Sequence, residues 1–92
     1  MSAAFSWAVV TPEGTAASGT CEFLVVPTAG GELGVLADHG ALVACVVPGE
    51  VRVTTGGDTR AVPVGAGLVE VRDNEVRLLV VSAEAGDEKR SD

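Results

Sequence analysis

The feature that most constrains this chain is its apolar rhythm. Hydrophobic residues, valine the commonest of all residues, recur in blocks of strand length separated by Gly, Pro, Asn and Asp. In Glu50-Val51-Arg52-Val53-Thr54 the alternation is strict, with Val51 and Val53 turned inward. No segment shows apolar residues at the 3.6-residue period of a helix, and β-branched side chains favour a pleated, half-buried surface.

Phe5 to Thr11 reads as a first strand, turned by Thr11-Pro12-Glu13-Gly14. Ser18 to Pro27 reads as one longer strand. Leu42 to Val47 is apolar at every position and is expected to be covered on both faces. Gly56-Gly57-Asp58 marks a hairpin, Gly65-Ala66-Gly67 interrupts the next run, and Asp73-Asn74-Glu75 turns the chain into Val76 to Val81. The expected fold is all-β, a small antiparallel β-sandwich or flattened barrel over residues 1–83. Residues 84–92 are polar and read as a short C-terminal tail.

Length allows one core only, since the chain has 92 residues. A formal net charge of −7 repels phosphate backbones and anionic lipid headgroups, so neither nucleic acid nor a membrane surface is an expected partner. No apolar run approaches the roughly 18 residues of a membrane span, and Met1-Ser2-Ala3-Ala4 does not open a signal peptide, which points to a soluble, cytoplasmic protein without lipid insertion. Cys21 and Cys45 both sit in apolar runs and are expected to remain unpaired, buried thiols.

Function is expected to show in Gly30-Gly31-Glu32-Leu33-Gly34-Val35-Leu36-Ala37-Asp38-His39-Gly40-Ala41, which carries the only histidine. The glycine pair permits a tight reversal with positive φ. Leu33 to Leu36 forms a short edge strand, and the loops around it set Glu32 and His39 near one end of the domain. One histidine, two strand cysteines and scattered acids fall short of the ligands a zinc site needs. Nothing supplies an orienting group or oxyanion loop for a Cys45-His39 nucleophile. Neither a metal, a cofactor nor catalysis is expected, and His39 reads first as a turn residue making a local hydrogen bond or a protein contact.

This segment resembles the Gly-Glu-Leu-Gly-aliphatic stretch, followed by histidine, of the epsilon subunit of bacterial F-type ATP synthases. Other blocks resemble the same family in the same order. They are Val9-Val10-Thr11-Pro12-Glu13 with Ser18-Gly19, Pro48-Gly49-Glu50-Val51-Arg52-Val53, Gly65-Ala66-Gly67-Leu68-Val69-Glu70-Val71, and Asn74-Glu75-Val76-Arg77-Leu78-Leu79. Together they cover Phe5 to Glu84. The histidine loop departs from the pattern at Ala37, Asp38, Gly40 and Ala41, so it is expected to be less rigid than in relatives.

The resemblance implies a non-catalytic rotor subunit of a proton-translocating ATP synthase, on the inner face of the bacterial membrane, coupling the gamma subunit to the c-ring. It implies a c-ring contact at Gly31 and Glu32, and a gamma contact at Thr11, His39, Leu42, Val43 and Ala44. Gly31, Gly34, Pro48 and Gly49 serve backbone geometry. The helical hairpin that follows this domain in relatives has no counterpart here, so its nucleotide-binding and inhibitory roles are not carried over. The alternative is a free-standing β-sandwich binding module diverged from this family.

Overall fold

The computed structural model describes residues 3–84 and 87–88. Nine strands follow one another with short turns: β1 Phe5–Thr11, β2 Gly14–Cys21, β3 Phe23–Thr28, β4 Gly31–Leu36, β5 Leu42–Val46, β6 Gly49–Thr55, β7 Asp58–Val64, β8 Gly67–Arg72 and β9 Glu75–Val80. A two-residue β10, Asp87–Glu88, aligns antiparallel with Ala61 and Arg60 of β7. Of the rest of the expected tail, Glu84 donates its N–H to Pro63 O at 3.0 Å, and residues 85, 86 and 89–92 lie outside the described residues.

The strands lie in the order β10-β7-β6-β3-β5-β8-β9-β1-β2, with β4 on the free side of β3. The β3–β5 link is a single pair, Thr28 with Val46. The path folds back there, and the two halves enclose one core. The expected all-β sandwich is therefore the fold observed. Among the described residues every strand pairing is antiparallel but one: β1 runs parallel to β9, from Ser6 opposite Glu75 to Val10 opposite Leu79.

Alternation fills the core. Val51 and Val53 from β6, Val69 and Val71 from β8, and Val76, Leu78 and Val80 from β9 point inward beside Val9, Leu24 and Val26. Trp7 is buried too, and the guanidinium of Arg60 stands 5.6 Å from its ring centroid, within cation–π range. Burial of the Cys21 thiol pushes its pKa to about 11, partly opposed by a hydrogen bond from the backbone at Phe23.

Two expectations need correction. Ser18 to Pro27 is not one strand: the chain leaves β2 at Cys21, crosses at Glu22, and enters β3 on the other half of the fold. Glu22 anchors the crossing, its N–H donating to Thr54 O at 2.9 Å and its carboxylate accepting from Gly56 N–H at 3.1 Å. Nor is Leu42 to Val47 covered on both faces. In β5, Leu42, Ala44 and Val46 turn inward, whereas Val43 is 64% exposed and Cys45 is an exposed free thiol. A run of apolar residues shows that both faces are apolar, and only the neighbouring layer decides which is covered.

Candidate functional site

Register defines two ends of the sandwich. At one end lie the Thr11–Gly14 turn, the Ala29–Gly31 reversal and the strand ends Val46, Gly49, Val64, Gly67 and Val80. At the other lie Leu36 to Ala41, the start of β5, the Thr55–Asp58 hairpin and the Arg72–Glu75 turn. Glu32 and His39 are consequently not neighbours. Glu32 lies near the start of β4 and His39 beyond its end, and the four residue steps from Glu32 to Leu36 alone span about 13 Å.

Glu32 sits one residue into β4 rather than in a loop. Gly31 before it has φ +116, a conformation that disfavours any side chain, and its carbonyl accepts a short hydrogen bond from Thr28 Oγ1 at 2.5 Å. This turn presents Glu32 outward. Its carboxylate meets Arg52 Nη2 at 2.9 Å, with the two side chains 61% and 43% exposed. The acid thus has a partner within its own chain, one that the sequence reading did not assign.

At the opposite end, the loop after β4 is braced. Asp38 has φ +65, the left-handed region tolerated by Asp and Asn. Its N–H donates to Asn74 Oδ1 at 2.6 Å, and its own Oδ1 accepts from Asn74 Nδ2 at 3.1 Å. His39 donates its N–H to Leu36 O at 3.2 Å, while its ring Nδ1 lies 2.7 Å from Gly40 O. The local hydrogen bond expected of His39 is present. The loosening expected from the departures at Ala37, Asp38, Gly40 and Ala41 meets a counterweight, because Asp38 itself supplies the brace.

The structure does not bring together all five residues of the anticipated gamma surface. His39, Leu42, Val43 and Ala44 lie close together in sequence, yet Leu42 and Ala44 pack against the core, leaving Val43 as the outward side chain among the three strand residues. Thr11 lies at the Glu32 end. Its hydroxyl is engaged in its own turn, accepting from Glu13 N–H at 3.1 Å and lying 3.1 Å from Gly14 O. Arg52 and Asn74 are the residues that sequence reasoning passed over as functional. Arg52 alternates outward on β6 and Asn74 sits in a turn, so their partners are set by pairing between distant segments.

Among the described residues there is no group of three or more His, Cys, Asp or Glu side chains placed to hold a metal ion. The site's chemistry is that of a surface: one exposed acid tied to an arginine, one histidine loop, one exposed valine.

The family profile described as ATP synthase, Delta/Epsilon chain, beta-sandwich domain matches residues 4–86. The ATP synthase epsilon chain of Desulfitobacterium hafniense (strain DSM 10664 / DCB-2) is 37% identical over 87 residues, covering 95% of this chain and 66% of the relative. That of Alkalihalophilus pseudofirmus is 43% identical over 76 residues, covering 83% of this chain and 57% of the relative. Among solved structures, a chain of the Euglena gracilis mitochondrial ATP synthase, solved as OSCP/F1/c-ring, superposes with a TM-score of 0.77 at 25% identity, covering 84% of this chain and 50% of that one. The present chain thus spans about half to two thirds of the length of these relatives. It belongs to the family of ATP synthase delta/epsilon chain β-sandwich domains.

Proposed function

We propose that this chain is a non-catalytic rotor subunit of a proton-translocating F-type ATP synthase, seated on the cytoplasmic face of a bacterial membrane and joining the gamma subunit to the c-ring. The observation that carries the reading is the placement of two separate surfaces at opposite ends of one close-packed sandwich. Interiors packed at crystal-like density resist deformation, so a load applied at one end reaches the other without slack. Gly31 and Glu32 form the c-ring contact. His39 and Val43, carried on the backbone of Leu42 to Ala44, form the gamma contact. Thr11 joins the gamma contact only through a partner long enough to reach both ends.

In this role the chain performs no chemistry and holds no cofactor, and its acidic surface is directed to proteins rather than nucleic acid or lipid. The test is a pair of charge variants in co-purification with gamma and with the c-ring. Glu32→Arg should weaken c-ring capture about tenfold and leave gamma capture intact, because a rim charge acts on encounter and salt dependence rather than on folding. Val43→Asp should do the reverse. Retention of both partners by both variants would overturn the assignment.

A further inference from the structure

We propose that Asn74 is the positioning residue of the histidine loop: it ties residues 37–41 to the β8–β9 turn and so orders the surface that carries His39 and Val43. The inference rests on the gamma contact proposed above for its functional consequence, and on geometry for its mechanism.

Asn74 stands where three segments meet. Its backbone carbonyl accepts the N–H of Ser6 at 3.0 Å, fixing the start of β1 beside β9. Its side-chain amide faces the other way and makes the reciprocal pair with Asp38, Oδ1 accepting from the Asp38 N–H and Nδ2 donating to the Asp38 carboxylate. A primary amide suits this position because it offers an acceptor and a donor side by side. The partner group, a backbone N–H next to a carboxylate, is its complement.

Turn geometry alone does not ask for this side chain. Asp73 and Asn74 have φ +52 and +59, the two positive values of a type I′ hairpin, for which glycine at the second position is the most favourable residue. Asn74 tolerates that conformation while adding the amide that glycine lacks. The loop it holds has few other ties: the Asp38 backbone is left-handed, the His39 ring reaches only to the adjacent Gly40 O, and an alanine-sized side chain at Gly40 would touch nothing within 4 Å. Without the bracket, residues 37–41 remain attached through the ends of β4 and β5, the packing of Ala37 against the core, and the His39 N–H to Leu36 O bond.

Asn74→Gly therefore separates the two roles. It keeps the turn and deletes the amide. In the 92-residue chain, measured by NMR hydrogen exchange, the Asp38 and His39 amides should exchange about tenfold faster, since losing the bracket lowers the cost of opening this loop. Exchange in β6 and β8 should be unchanged. Affinity for purified gamma should fall, with c-ring capture unaffected. Asn74→Asp should also loosen the loop, because it sets a second carboxylate against that of Asp38 and removes the Nδ2 donor. Unchanged exchange at Asp38 in Asn74→Gly would overturn the proposal. So would faster exchange with undiminished gamma affinity when His39→Ala does weaken the complex. If His39→Ala leaves gamma binding unchanged, the contact assignment itself has failed, and the exchange result alone then decides whether Asn74 orders the loop.

Discussion

Gly67→Ala is expected to be among the most damaging small substitutions available to this domain. Gly67 opens β8 opposite Val80 of β9 and beside Val46 of β5. Its φ is not in the left-handed region, so conformational freedom is not the reason for glycine here. The reason is space: a methyl group built on it would lie 2.0 Å from Leu79 O, 2.7 Å from Val80 Cα and 2.9 Å from Leu79 C. All three are backbone atoms of the neighbouring strand, and no rotamer change moves them. Relief requires β8 and β9 to part by about 1 Å at this point, against a normal strand separation of about 4.8 Å. That weakens about two ladder hydrogen bonds near the strand end, at about 1 kcal/mol each. Partial opening of Val46 and Val80 adds about 1 kcal/mol more. The total of about 3 kcal/mol is a large share of the roughly 5–14 kcal/mol expected for 92 residues. The melting temperature should fall by about 12–24 °C. Urea denaturation should show a lower midpoint at constant slope, with Gly40→Ala as the control that leaves both unchanged. A loss below about 1 kcal/mol in Gly67→Ala would refute the packing argument.

The two thiols should differ in reactivity: a maleimide should label Cys45 rapidly in the native protein and Cys21 only on unfolding, as mass spectrometry would show. Because the folded-state pKa of Cys21 is raised from 9.0 to about 11, the unfolded chain loses this proton first. Stability should be fully present below pH 9 and decline as pH rises toward 11, and Cys21→Ala should remove that decline. Across the Glu32–Arg52 bridge, a double-mutant cycle with alanine should give a coupling below about 1 kcal/mol that vanishes in molar salt, since both side chains are substantially exposed. A coupling above about 2 kcal/mol would show the bridge to be structural.

Local chemistry determined most of the strands and turns, and which side chains entered the core wherever apolar and polar residues alternate. The alternation at Val51 and Val53 or at Val69 and Val71 is carried by adjacent residues, and the turns at Gly56-Gly57 and Asp73-Asn74 by backbone preferences within the turn itself. The order of motifs was likewise enough to suggest the family. Tertiary structure decided everything that depends on which strand lies beside which. The parallel pairing of β1 with β9, the crossing at Glu22, and the exposure of Val43 and Cys45 follow from layer order, which a two-residue period does not encode. The same holds for the candidate site. Glu32 meets Arg52 across 20 positions of sequence, and Asp38 meets Asn74 across 36. Glu32 and His39, close in sequence, are driven apart because the residues between them are an extended strand. Proximity along a chain is lost wherever the backbone extends, and proximity in space is created by register, which is fixed only when the whole sheet has closed on its core.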